Sequence, residues 1–109
     1  MERAIIMNEL DNVATALVSL DVGKVSVHIG EKSIEIELKE AVLIGHKFSL
    51  KYIGKGENVI KYGQIIGKAS APIESGRHVH THNVESLRGR GDLSLTKNQE
   101  GGKENEGGT

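Results

Sequence analysis

Hydrophobic and polar positions alternate along much of this chain over short stretches. In Val25-Ser26-Val27-His28-Ile29 the apolar residues fall at every second position, the period of a half-buried strand. Ser33-Ile34-Glu35-Ile36-Glu37-Leu38 repeats the pattern, with Ile34, Ile36 and Leu38 on one face. Gly30-Glu31-Lys32 between them predicts a hairpin turn. Lys47-Phe48-Ser49-Leu50, Asn58-Val59-Ile60-Lys61 and Gln64-Ile65-Ile66-Gly67-Lys68-Ala69 read as further strands. Glycine recurs every few positions, at a cost of about 1 kcal/mol each in a helix relative to alanine, so no long helix fits. Asn12 to Leu20 fits a helix capped by Asp11, yet the alternation of Val13, Thr15 and Leu17 favours a strand. The expected fold class is all-β.

A weak internal repeat supports that class. Ile53-Gly54-Lys55-Gly56-Glu57-Asn58-Val59 and Ile73-Glu74-Ser75-Gly76-Arg77-His78-Val79 share an Ile, a Gly three later and a Val three after that. Leu20-Asp21-Val22-Gly23-Lys24-Val25 reads as a shortened copy. The pattern means an apolar anchor, a turn in which Gly supplies positive φ, and entry into a strand. Its spacing is too irregular for a solenoid and suits a domain with similar corners.

Length and composition narrow the picture. With 109 residues there is room for one domain, expected over residues 1–88. Residues 89–109 form a polar tail expected to be flexible, because Asn98 to Gly108 contains no apolar residue to offset ordering. A formal net charge of -1 gives no basic field for nucleic acid or a membrane surface. The single Arg88-Gly89-Arg90-Gly91 stretch is too short for an RNA-binding repeat and reads as a linker. Phe48, Tyr52 and Tyr62 are the only aromatics, too few to stack bases. There is no Cys, which fits a reducing cytoplasm and removes thiolate metal sites and thiol nucleophiles. The first nine residues lack the apolar run of a leader peptide, and no stretch approaches the ~20 apolar residues of a membrane span.

Chemistry concentrates in His78-Val79-His80-Thr81-His82-Asn83, which holds three of the five histidines. On an extended strand the three imidazoles share a face, with neighbours about 6.6 Å apart and the outer pair about 13 Å apart. Two adjacent imidazoles can therefore reach one metal ion at ~2 Å, whereas all three need a bulge or turn. The expected arrangement is a His-x-His pair among His78, His80 and His82 with metal ligands from elsewhere; His28 and His46 are the other imidazoles. An exposed polar face is the competing reading of the same run. Gly45-His46-Lys47-Phe48 offers a proton-transfer group beside a cation that suits a carboxylate, and a plain turn before a strand explains it as well. Lys61-Tyr62-Gly63 can anchor an anion or form a surface turn, and Asp11-Asn12 can cap, turn or bind. No phosphate-binding loop, dinucleotide fingerprint, HExxH, EF-hand or GxSxG element is present.

Taken in order, Asp11-Asn12-Val13-Ala14-Thr15-Ala16-Leu17, Gly45 to Leu50, Val59-Ile60-Lys61-Tyr62-Gly63, Ile65-Ile66-Gly67 and His78 to Asn83 form a specific combination. From about Asp11 to Val84 the chain resembles the N-terminal domain of altronate and galactarate dehydratases, and the small subunit of sulfolactate sulfo-lyase. The resemblance implies a compact β-clip (SAF-type) domain of short twisted strands. It also implies a large catalytic partner subunit and a small carboxylate substrate that loses water or sulfite. A divalent metal, Fe2+ or Mn2+, would be shared with that partner. On this reading His46, Lys47 and His80 are catalytic, while Lys61, Tyr62, Asn83 and Asp11 bind substrate. Self-association is left open, and so is a non-catalytic binding or interaction module.

Overall fold

The computed structural model describes residues 2–86, and the tail expected at residues 89–109 lies outside them. Nine strands and no helix occur in the described part: β1 (Ala4–Ile5), β2 (Val13–Ala16), β3 (Gly23–Ile29), β4 (Lys32–Leu38), β5 (Lys47–Ser49), β6 (Asn58–Lys61), β7 (Gln64–Ala69), β8 (His78–Val79) and β9 (Val84–Ser86). Six of them form one sheet in the order β4-β3-β1-β2-β5-β8, and β6-β7-β9 form a second. The all-β expectation holds, and the ambiguous Asn12–Leu20 segment contributes β2.

Alternation then divides the core in two. Register partners in the large sheet place Val25, Val27, Ala4, Ala14, Ala16, Ile36 and Phe48 on one face, where they pack as one buried cluster. Val13 and Val79 belong to the opposite face and pack with Ile53, Val59, Ala69 and Ile73 beneath the small sheet. Sheet-on-sheet burial of this kind follows from the two-residue period alone.

Three corners explain how so many short strands connect. In each, a glycine at φ near +85° occupies the third position of a tight turn. The closing bonds run from His46 N to Leu43 O (3.0 Å), Glu57 N to Gly54 O (3.0 Å) and Arg77 N to Glu74 O (3.1 Å). The glycine N–H of each corner donates to a neighbouring carbonyl: Gly45 to Ala16, Gly56 to Ala69 and Gly76 to Ser49. Two of these corners are the sequence repeat, and their anchors Ile53 and Ile73 form a bridge. The third copy is Val42-Leu43-Ile44-Gly45-His46-Lys47-Phe48, not the segment beginning at Leu20. Leu20 instead bridges to Val42, and Gly23 adopts a different φ of 129°.

The His78–Asn83 segment is not one extended strand. It pairs only through His78 and Val79 and then turns. Asn83 closes the turn at both ends: its Oδ1 accepts from His80 N (2.9 Å) and its Nδ2 donates to His78 O (2.8 Å).

A candidate three-histidine site

The end of the large sheet brings distant imidazoles together. β5 and β8 are antiparallel, with Phe48 opposite His78 and Lys47 opposite Val79. One step further along this register His46 faces His80, and both side chains fall on the Phe48 side with His78. The rings stack accordingly, with centroids 4.4 Å apart for His46 and His80, 5.0 Å for His46 and His78, and 5.4 Å for His78 and His80. His46 Nδ1 lies 2.8 Å from His78 Nε2.

One ligand atom from each of His46, His78 and His80 falls within 4.8 Å of the others. Nitrogen donors around an ion bound at about 2.1 Å must themselves sit a few ångströms apart, so this donor set fits a divalent transition metal. The segment turns after His80, closed by Asn83, and the third donor comes from His46 beside β5 and not from a third position of the same strand. His46, expected as a proton-transfer group, joins the cluster. His82, expected as a ligand, stands beside His78 at 5.2 Å between ring centroids and is not one of the three. His28 sits on β3, separated from β5 by β1 and β2.

The surroundings favour the neutral form of His78 and His80. The pKa of His78 is lowered by burial and by the adjacent His46, His82 and His80, against a smaller opposing effect of Glu40. His80 is lowered by loss of solvent and by His46, Lys47 and His82. Neutral rings are the form that binds metal. Glu40 was not visible as a site residue in the sequence. Its Oε2 accepts the His78 N–H at 3.1 Å, tying the segment after β4 to the ligand strand. Only its place in an otherwise turn-like Lys39-Glu40-Ala41 stretch hints at it.

Lys47 leaves β5 on the side opposite His46, as consecutive strand residues must. It lines a recess of about 180 Å³ with His80, Thr81, Ile66, Val84 and Ser86. Burial and then the charge of Lys61 lower its pKa. The Lys61 ammonium lies 5.1 Å from the centroid of the Tyr62 ring. Neither lysine has a carboxylate within salt-bridge distance among the described residues, where the one ion pair is Arg77–Glu74.

Asp11 and Asn83 are occupied with the backbone. Asp11 accepts from the N–H groups of Asn8 (3.0 Å), Tyr62 (3.2 Å) and Gly63 (2.8 Å), which fixes the β6–β7 turn and Tyr62 at a φ of 58°. Asn12 extends the latch: it donates to Asn58 O at 2.9 Å and accepts from Ile60 N at 2.8 Å. Asp11 and Asn12 together hold β6 and the β6–β7 turn.

Fold and site together define a small all-β domain that presents a three-imidazole cluster at the end of one sheet. The chain belongs to the altronate/galactarate dehydratase SAF domain family, whose model matches residues 2–87. It is 45% identical over 80 residues to altronate dehydratase of Escherichia coli K12, covering 73% of this chain and 16% of that enzyme. It is 40% identical over 58 residues to (2R)-sulfolactate sulfo-lyase subunit alpha of Chromohalobacter salexigens, covering 53% of this chain and 62% of that subunit. The corresponding subunit of Paracoccus pantotrophus is 48% identical over 50 residues, which is 46% of this chain and 75% of the relative. The match thus spans about one sixth of the altronate dehydratase. No helix among the described residues is long and apolar enough to cross a membrane.

Proposed function

We propose that this chain is the small subunit of a heteromeric sugar-acid dehydratase of the altronate/galactarate type, or of a related sulfo-lyase. It contributes an imidazole wall to an active site shared with a large subunit. The observation that carries this reading is the convergence of His46, His78 and His80 on one point. These three residues hold the metal, with His46 in place of His82. Fe2+ and Mn2+ accept imidazole together with oxygen donors, which the large subunit and substrate supply. A divalent ion so held polarises substrate oxygens and stabilises the charge that develops as the proton α to the carboxylate leaves.

The chain's own groups do the rest of the work on its side of the site. Lys47 and Lys61, cations with no carboxylate ion-pair partner among the described residues, attract the substrate carboxylate, and the Tyr62 ring steadies Lys61. Burial and then Lys61 lower the pKa of Lys47, the direction that favours a role for Nζ in proton transfer. The recess beside it, about 180 Å³, offers open space next to the ammonium for the carboxylate end of a sugar acid. The "subunit alpha" relatives support a second chain as the source of the remaining surface. The cytoplasmic location expected from the absence of Cys belongs to this proposal.

Co-expression with a large lyase-type chain of the same genome tests the reading. Each chain is assayed alone and mixed with altronate, galactarate and sulfolactate. Turnover is expected only in the mixture, and His80→Ala is expected to lower it by about 100-fold or more. A large chain fully active alone would leave the non-catalytic binding module as the correct description.

A further inference from the structure

The three glycine corners are built alike but are not decorated alike. At the second and third corners the two residues before the glycine are Gly54-Lys55 and Glu74-Ser75. At the first they are Leu43-Ile44, each 62% exposed. The same φ near +85°, the same closing bond and the same glycine N–H donation occur in all three. The turn itself therefore places no demand for apolar side chains at these positions.

The apolar pair is also held rigidly. Ile44 N–H donates to Ser19 Oγ at 3.3 Å, and Leu20 and Val42 exchange backbone hydrogen bonds of 2.8 and 2.9 Å. Within that bonded segment Leu17 (38% exposed) and Val22 (66% exposed) add further apolar surface. Two large apolar side chains left exposed at the tip of a hydrogen-bonded corner mark an interface. Its position is specific: His46, one of the three clustered imidazoles, is the residue that closes this corner.

We infer that the Leu43–Ile44 corner is the docking surface for the large lyase subunit. This rests on the shared-site reading above. Three imidazoles leave a divalent ion's remaining positions to donors from outside this chain, and those donors must approach His46. A partner that delivers them has to lie against the adjoining Leu43–Ile44 tip. Its complementary face is apolar, with oxygen or nitrogen donors at the margin nearest His46. The altronate dehydratase of Escherichia coli has the corresponding bulk, since this chain matches only 16% of it.

The test uses the full chain and the large lyase-type chain encoded in the same genome, titrated against each other and followed by sedimentation. The variant is Leu43→Glu with Ile44→Ser, which installs the pair that the Glu74-Ser75 corner already accommodates, so the fold is retained. Leu10→Glu, at a site 68% exposed in the turn between β1 and β2, is the control. The double variant is expected to weaken association by at least about 10-fold while still binding Mn2+ alone, and Leu10→Glu to change neither. Undiminished association of the double variant overturns the inference while leaving the shared-site reading intact. A wild-type homodimer that the double variant dissolves would make a second copy the occupant and overturn it too. If the wild-type chain binds no large chain, the shared-site reading fails first and the docking surface falls with it.

Discussion

His46 Nδ1 and His78 Nε2 approach to 2.8 Å across 32 residues of sequence. At that distance the two rings share one proton or aim both lone pairs at a common acceptor; two protonated rings cannot occupy it. The pairing of Phe48 with His78 in β5 and β8 sets the relationship, so it belongs to the fold and not to a mobile surface. Its consequences can be measured in the chain itself.

Protonation should weaken the fold over a defined range. The folded-state pKa of His78 lies below its ordinary value, chiefly through burial and then through His46. Above about pH 6.5 the ring is neutral whether the chain is folded or not. As pH falls below that point the unfolded chain takes up the proton first, so stability is lost as pH descends towards the folded-state pKa. Urea unfolding of the metal-free chain between pH 7.5 and 5 should show this decline, and His78→Gln should flatten it. Parallel curves for the two proteins would be the wrong result.

Glu40 should act on the site through His78. Glu40→Gln keeps an acceptor for the His78 N–H and removes the charge, whereas Glu40→Ala removes both. Glu40 holds the backbone of His78 and not its ring, so its loss should lower metal affinity by up to about 10-fold, the foot of the range for partners of a ligand ring. Calorimetry with Mn2+ should place Glu40→Ala within that limit and Glu40→Gln nearer the wild type. Because the carboxylate raises the His78 pKa, an NMR titration of Glu40→Gln should show that pKa lowered further.

Asp11 is expected to matter for stability before it matters for chemistry. Its carboxylate accepts three backbone N–H groups, two of them in the Tyr62-Gly63 turn. Hydrogen bonds to a charged acceptor contribute more than neutral ones, so Asp11→Ala should cost roughly 2–3 kcal/mol in urea unfolding. Direct loss of substrate affinity with unchanged stability would instead make Asp11 a substrate-binding group.

Gly76 differs from the hairpin glycine and from the other two corner glycines, Gly45 and Gly56. A Cβ on Gly76, at a φ of +84°, would run into the Glu37 carbonyl oxygen, whereas a Cβ on Gly30, at a φ of +58°, meets nothing within 4 Å. Gly30→Ala should cost about 1–2 kcal/mol, the strain of left-handed backbone alone. Gly76→Ala should cost clearly more, as thermal unfolding of the two variants will report.

Much of this is legible in the amino-acid sequence alone. Val25–Ile29 and Ser33–Leu38 announced β3 and β4 because one face of each is buried, and alternation is strongest where burial is one-sided. Asn58–Lys61 and Gln64–Ala69 matched their strands at both ends. β1 was missed because two residues carry no period, and β9 because its three residues follow a turn that sequence alone read as strand. Metal-ligand spacing pointed to His78 and His80, but bringing in His46 requires the β5–β8 register, a contact over 32 residues that periodicity does not encode. The extended reading of His78–Asn83 failed for a related reason: the Asn83 amide bonds nearby backbone at His78 and His80 and bends the chain there.

The three-histidine cluster is best tested by Mn2+ binding to the full chain, followed by electron paramagnetic resonance. One ion per chain is predicted, with nitrogen coupling from imidazole. The affinity should collapse in His46→Ala, His78→Ala and His80→Ala and stay near the wild-type value in His82→Ala. Binding that survives all three losses, or that depends on His82 and not on His46, would contradict the account.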